Sequence, residues 1–100
     1  MNMKRTLLDV AEEVQVDVAQ VLKVLGDPNR LKIIELLKNG ERCQCEIIPS
    51  IGQSQPTISR HLRILEENKI LVNRKDGVKV LYRIGNPNVL RIIELAASIA

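Results

Sequence analysis

The sequence predicts a mainly α-helical fold with one small β-hairpin, and three observations carry this prediction. Apolar residues recur at helical spacing through most of the 100-residue chain. Helix-ending and helix-starting residues at Gly26-Asp27-Pro28, Asn39-Gly40 and Gly52-Gln53 divide that pattern into separate helices. Residues 78–84 alternate instead, with Val, Val, Tyr and Ile at every second position, and Asp76-Gly77 joins them to residues 71–75.

Composition narrows the classes of function. The length indicates one domain, and 45% hydrophobic residues are enough for a small core of Leu, Ile and Val. Tyr82 is the one aromatic residue, which argues against single-stranded nucleic-acid sites, where bases stack on aromatic side chains. With one His, no Gly-rich phosphate loop and no nucleophile motif, the sequence does not predict an enzyme.

The expected location is the cytoplasm. No apolar run approaches the ~20 residues of a membrane span, so we expect no membrane partner. The first residues, Met1 to Arg5, lead into an amphipathic pattern rather than the core of a signal peptide. In that compartment Cys43 and Cys45 are expected to be thiols rather than a structural bridge.

The first half of the chain predicts helices with clear boundaries. Residues 4–25 follow helical spacing, with a break or bend near residues 16–17. Gly26 ends this segment, Asp27 caps the next helix and Pro28 occupies its first position, and that helix runs to about residue 38. A short helix from Cys43 to about residue 50 follows.

The two cysteines open that short helix. Glu46 lies three residues after Cys43, as in a capping box with Cys where Ser or Thr is usual. After it, the Gly52-Gln53 turn leads into a further helix. Two helices joined by a short turn that contains glycine predict a helix-turn-helix.

The second helix of that pair, from Ser54 to about residue 65, has two different faces. Ile58, Leu62 and Leu65 form one apolar stripe, and Ser54 is a good N-cap. The opposite side carries polar groups that suit duplex DNA: arginine can contact guanine, glutamine adenine, and hydroxyls either bases or phosphates. The predicted DNA-contacting residues of this helix are Ser54, Gln55, Thr57, Ser59, Arg60 and Arg63. Taken alone, the same face could be only a solvated surface.

The hairpin adds positive charge. Asp76-Gly77 is a preferred dipeptide for a two-residue turn, and Arg74, Lys75 and Lys79 crowd its tip. Residues 54–83 contain seven Lys or Arg residues and three acidic residues, whereas the rest of the chain is slightly acidic. This distribution is typical of a phosphate-binding surface, and the other interpretation is a solubilising edge.

The last helix, residues 88–100, is apolar nearly all round. A terminal helix of a small domain cannot bury every side within its own fold, so we expect it to pack on another chain. The sequence therefore predicts one domain over residues 1–100 whose terminal helices, about 4–16 and 87–100, form a dimer interface. A helix fully enclosed by the monomer is the alternative.

The order of these elements, about five to six helices with a two-stranded wing, looks like a winged helix-turn-helix. The chain resembles the ArsR/SmtB repressors in three stretches between about residues 18 and 84. The first spans residues 22–34 (LKVLGDPNRLKII) and the second residues 53–62 (QSQPTISRHL). The third comprises NRKDG at 73–77 and VLYRI at 80–84.

The resemblance implies a homodimer that binds an imperfect palindromic operator and represses transcription. It places Gln55, Thr57, Ser59 and Arg60 in the major groove and assigns the basic hairpin to the wing. In the dimer, the helix from Ser54 to about residue 65 would be the reading helix of each subunit. Two-fold symmetry would place the two reading helices about one turn of DNA apart, roughly 34 Å. Ligand binding or thiol chemistry would then release the DNA.

Cys43 and Cys45 match the family's Cys-x-Cys site for soft metalloids, with As(III) or Sb(III) as possible effectors and no required cofactor. A helix N-terminus favours the thiolate that binds such ions. The chain departs from the family at Ile48, where a third cysteine is frequent, and residues 86–100 contain no His or Asp. A third ligand could come from His61, water or a partner chain, although His61 is expected to be half-buried beside the reading helix.

Three alternatives stay open at this point. The cysteines could be a redox switch, through disulfides between chains because a Cys43–Cys45 bridge would strain a regular helix. They could also be two small reduced residues in an ArsR-like regulator that senses no metal. Finally, the fold could serve as a winged-helix protein-interaction module without DNA binding.

Overall fold

A computed structural model describes residues 17–100, which form five helices and three strands. Helix α1 occupies residues 17–25, and the predicted helix over residues 4–16 lies outside the described residues. The other helices are α2 (Pro28–Leu37), α3 (Gln44–Ile51), α4 (Gln55–Glu67) and α5 (Asn88–Ile99). The strands are β1 (Arg42–Cys43), β2 (Leu71–Asp76) and β3 (Lys79–Ile84).

The boundary between α1 and α2 forms as the sequence predicts. Asp27 is the N-cap of α2, and its Oδ1 accepts hydrogen bonds from the backbone N–H groups of Asn29 (2.8 Å) and Arg30 (3.1 Å). Partial burial works against the charged carboxylate, but the N–H groups of Arg30 and Asn29 outweigh it, so the pKa of Asp27 is lowered. The cap therefore stabilises the start of α2 while Asp27 is ionised.

The core fills the space between the helices and the sheet. The predicted stripe of α4 is confirmed, since Ile58, Leu62 and Leu65 are completely buried. They belong to one cluster with residues from α2, α3 and β2, among them Ile33, Ile34, Leu37, Ile47 and Leu71. Helix α4 is thus held by its apolar face, which leaves its polar side outward.

The sheet differs from the predicted two-stranded wing. Among the described residues it has three strands in the order β1-β3-β2, all antiparallel. Strand β1 pairs Arg42 with Tyr82 and Cys43 with Leu81. A two-residue strand has no alternation that sequence reading could detect, and it forms here because it covers the otherwise open edge of β3.

The turn of the wing lies one residue later than predicted. Asp76 pairs with Lys79 as the last rung of the ladder, so the two loop residues are Gly77 and Val78 rather than Asp76 and Gly77. Gly77 has a φ of 63°. A positive φ at the first loop position is the II′ pattern, in which glycine is preferred because it has no Cβ.

The outer faces of α1 and α5 remain apolar and exposed. Leu22 on α1 and Leu95 and Ile99 on α5 are more than half exposed. A groove of about 360 Å³ lies between these helices and is lined almost entirely by Leu, Ile and Ala. No helix within residues 17–100 combines the length and the hydropathy that crossing a bilayer requires.

Candidate nucleic-acid interface

The structure presents the polar face of α4 to solvent. Ser54 caps the helix, and its Oγ accepts from the backbone N–H of Thr57 at 3.4 Å and donates to the Thr57 hydroxyl at 2.8 Å. Gln55 and Arg60 are exposed, whereas Thr57 and Ser59 are half-buried. The first turn therefore offers an amide, hydroxyls and a guanidinium group on a helix whose other side is anchored in the core.

The two arginines of this face differ in their surroundings. Arg63 lies 3.7 Å from the Glu67 carboxylate in an exposed i,i+4 pair. Within residues 17–100, no ion pair engages Arg60. Surface pairs of this kind contribute little free energy, so Arg63 can exchange Glu67 for a phosphate, while Arg60 is available without any exchange.

The wing presents exposed lysines beside a paired arginine. Lys75 and Lys79 are exposed on β2 and β3. Arg74 instead donates two hydrogen bonds to Glu41, from Nε at 2.9 Å and from Nη2 at 2.8 Å. These bonds lower the pKa of the Glu41 carboxyl and raise the pKa of Arg74. Arg74 therefore ties the wing to the loop before β1, a contact that the sequence does not predict.

The start of α4 and the wing border one cleft. This cleft has a volume of about 390 Å³. Gln55 of α4 and Lys79 of β3 both line it. The two cysteines also line it. The structure thus brings three of the predicted functional regions, the reading helix, the wing and the Cys-x-Cys segment, around a single depression.

The sulfur atoms of Cys43 and Cys45 are joined in a disulfide, with their Cα atoms 5.1 Å apart. The expectation that both cysteines are thiols is therefore wrong for the state that the structure shows, and the bridge lies within one chain rather than between chains. Cys43 is the N-cap of α3 and has an extended backbone (φ −68°, ψ 144°), so the helical repeat does not separate the two side chains. Cys43 is 4% exposed, whereas Cys45 is exposed.

The predicted capping box at α3 is present. The backbone N–H of Cys43 donates to Glu46 Oε1 at 3.1 Å, and Cys43 Sγ accepts from the backbone N–H of Cys45 at 3.1 Å. A contact that the sequence did not indicate joins the same turn to α4: Gln44 Nε2 donates to Ser59 Oγ at 3.1 Å. The Cys-x-Cys segment is thereby connected directly to a predicted DNA-contacting residue.

His61 is buried on the inner side of α4, more deeply than predicted, at 6% exposure. Its Nδ1 accepts from Arg30 Nη1 at 3.2 Å, and its Nε2 lies 4.0 Å from Asp27 Oδ1. Because arginine can only donate, His61 Nδ1 is the acceptor of this bond. His61 thus connects α4 to the start of α2.

The sulfur atoms of Cys43 and Cys45 are the candidate metal ligands at this site. Within the part of the chain that the structure describes, no group of three or more His, Cys, Asp or Glu side chains is placed to hold a metal ion. The donor type suits soft ions, which prefer thiolates. Cys43 and Cys45 fit as two ligands of such an ion once the disulfide is reduced, and any further ligand must come from elsewhere.

Comparisons with known proteins agree with the fold. Residues 27–71 match the family described as "Bacterial regulatory protein, arsR family". An arsenical resistance operon repressor of Staphylococcus xylosus is 40% identical over 70% of this chain and 67% of its own length. A cadmium resistance transcriptional regulatory protein homologue of Staphylococcus aureus is 37% identical over 95% of this chain and 79% of its own length.

Among solved structures, the chain is similar to a homodimeric winged helix-turn-helix DNA-binding domain from Mycobacterium bovis, with a TM-score of 0.79 and 29% identity. The match covers 99% of this chain and 89% of that one. The transcriptional repressor BigR of Xylella fastidiosa superposes with a TM-score of 0.80 and 29% identity, over 94% and 96% of the two chains.

Proposed function

Because the chain belongs to the arsR family of bacterial regulatory proteins, we propose that it is a homodimeric repressor that binds a palindromic operator in duplex DNA. The observation that carries this proposal is the arrangement of α4. Its apolar stripe is buried, Gln55 and Arg60 are exposed on its polar side, and Lys79 of the wing lines the same cleft as Gln55. This is the surface that reads a major groove and holds the flanking phosphates.

The roles of the residues follow from their chemistry. Arg60 can fork onto guanine O6 and N7, and Gln55 onto adenine N6 and N7. Ser54, Thr57 and Ser59 can bond either a base or a phosphate, and Arg63 lies further along the same helix. Lys75 and Lys79 neutralise phosphates, and Arg74 holds the wing against Glu41 until DNA offers it a phosphate instead.

The second subunit packs on the apolar surface of the outer helices. Leu22 lines the groove between α1 and α5, and Leu95 and Ile99 expose large apolar side chains on α5. Exposed apolar patches of this kind mark association surfaces. The Mycobacterium bovis relative is homodimeric, which supports a homodimer here.

We test DNA binding with duplexes selected by the protein from a random-sequence library. Fluorescence anisotropy then measures the dissociation constant for a selected duplex and for a scrambled one at several salt concentrations. We expect tighter binding to the selected duplex and an affinity that falls as salt rises. If no duplex binds in a salt-dependent manner, the protein-interaction module becomes the better interpretation.

We further propose that a soft metalloid, As(III) or Sb(III), or thiol oxidation at Cys43 and Cys45 releases the operator. The cysteines open the helix that supports α4, so a change of bonding there acts next to the reading surface. The test titrates arsenite, antimonite or hydrogen peroxide into the DNA complex of the reduced protein and of the Cys43→Ser/Cys45→Ser variant. Equal release from both forms would eliminate the cysteines as the sensor.

A further inference from the structure

The residue between the two cysteines contacts the reading helix. Gln44 is half-buried at the first position of α3, and its side-chain amide donates to the Ser59 hydroxyl of α4 at 3.1 Å. Ser59 is half-buried on α4, one residue before the exposed Arg60. A bond across 15 positions of sequence therefore joins the cysteine turn to the surface proposed to read DNA.

The same turn also holds the wing. Cys43 pairs with Leu81 of β3 in the short ladder that closes the sheet edge, and its sulfur accepts from the N–H of Cys45. Helix α4 and the wing thus both contact the three consecutive residues Cys43 to Cys45. A change of the covalent link between those cysteines must be accommodated by the backbone of Gln44, which lies inside the ring that the disulfide closes.

We propose that Gln44 is the positioning residue that transmits the redox state of Cys43 and Cys45 to the DNA-reading helix through Ser59. In the disulfide form Gln44 occupies a lone pair of the Ser59 oxygen and holds that hydroxyl away from DNA. In the dithiol form residue 44 is released from the ring, and Ser59 is free to turn to the duplex. This inference rests on the proposed DNA-binding function and specifies its regulation.

The chemistry balances with a peroxide as oxidant. The exposed Cys45 thiolate attacks one peroxide oxygen, which gives a sulfenic acid and, after protonation, one water. The Cys43 sulfur then attacks Cys45 Sγ, the S–S bond forms, and the hydroxyl leaves as a second water. Two thiols are oxidised, hydrogen peroxide is reduced to two waters, and a dithiol such as dithiothreitol reverses the step by exchange.

The test compares the wild type with Gln44→Ala and with the control Gln53→Ala. Gln53 is an exposed glutamine in the turn between α3 and α4, and alanine is compatible with the helical position 44. Amide ¹H–¹⁵N spectra are recorded in dithiothreitol and in hydrogen peroxide, and thiol titration checks that each protein oxidises. We expect the Ser59 resonance to move on oxidation in the wild type and in Gln53→Ala, but not in Gln44→Ala.

The same proteins are tested on the selected duplex. Oxidation should weaken wild-type binding to the duplex by about two- to tenfold, the range that corresponds to one hydrogen bond. The Gln44→Ala variant should bind the duplex equally well in both redox states. A Ser59 shift of equal size in Gln44→Ala and wild type would overturn the relay. So would an unmoved Ser59 resonance in the wild type. Absence of duplex binding in every redox state would instead refute the proposed function. The spectra are recorded without DNA, so they test the transmission from the cysteines to Ser59 independently of DNA binding.

Discussion

Arg60 is the residue whose loss should damage DNA binding most. It is exposed, and no described residue pairs with it. A bidentate contact to a base contributes about 1–3 kcal/mol of discrimination, and the dimer uses it twice. We expect Arg60→Ala to abolish specific operator binding, with anisotropy on the selected duplex as the measurement, while the protein stays dimeric.

A charge-matched control separates recognition from general electrostatics. Lys32→Ala removes one exposed positive charge from α2, which is neither α4 nor the wing. It should lower affinity slightly and equally for selected and scrambled duplexes. Retained specific binding in Arg60→Ala would mean that α4 is not placed in the groove as proposed.

Local contacts of single residues could be predicted from the sequence, and distant ones could not. The Asp27 cap, the Ser54 cap and the Cys43–Glu46 capping box span two or three residues, so spacing alone reveals them. The Arg74–Glu41 pair spans 33 positions. Its partners meet only after the wing folds against the loop before β1, and no local pattern encodes that meeting.

At the scale of elements, the wing should supply affinity without specificity. Lys75 and Lys79 are exposed, while the charge of Arg74 is neutralised by Glu41. We expect Lys75→Ala/Lys79→Ala to weaken all duplexes similarly and to reduce the slope of log affinity against log salt by about 0.9 for each lost phosphate contact. Arg74→Ala should flatten the slope less. A slope unchanged by the double substitution would remove the wing from the interface.

The link between the wing and Glu41 should depend on pH. Hydrogen bonding to Arg74 lowers the pKa of Glu41 in the folded protein below its ordinary 4.5. Its contribution to stability is therefore fully present above pH 4.5 and is lost as the pH falls through the lower folded value. We expect Glu41→Gln to unfold at lower urea concentration than wild type at neutral pH, and this difference to shrink in acid.

The matched variant for that measurement is Glu35→Gln. Glu35 forms an exposed pair with Lys38 within one turn of helix, so its loss leaves the wing attached. Hydrogen exchange of β2 and β3 at neutral pH should increase in Glu41→Gln and stay unchanged in Glu35→Gln. Equal exchange in the two variants would show that the Arg74–Glu41 pair does not hold the wing.

Elements with strong periodicity were predictable, and the shortest one was not. The helices follow a spacing of 3.6 residues and residues 78–84 a spacing of 2, and the Asp76-Gly77 dipeptide marks the hairpin that adds β2. Strand β1 has two residues and depends on the free edge of β3. The Cys43–Cys45 bridge is the other difference: it would strain a regular helix, but Cys43 is an extended cap residue outside the helix, and its side chain reaches that of Cys45.

At the scale of the whole molecule, the fold class and the family resemblance are confirmed. Both were predictable because they depend on the order of elements and on short motifs rather than on any single long-range contact. The joining of α4, the wing and the cysteines around one cleft depends on tertiary packing. It brings three separate sequence motifs into a single contiguous region.

Dimerisation provides the last prediction. Leu95 is 66% exposed on α5 although fully burying a leucine is worth about 1.5–3 kcal/mol. A two-fold interface would contain this residue twice. We expect Leu95→Glu to raise the dimer dissociation constant by at least ~30-fold, which light scattering after size exclusion would detect as monomer, with helical circular dichroism unchanged.

Val78→Glu is the control for this substitution, since Val78 is a fully exposed apolar residue at the tip of the wing, outside α1 and α5. It should leave the dimer intact.

Because two half-sites are bound by two joined reading helices, the monomeric Leu95→Glu protein should also lose most of its operator affinity, although its α4 is unaltered. A variant that stays dimeric would place the interface elsewhere on the molecule, and a monomer with full affinity would show that α4 binds DNA without its symmetric copy.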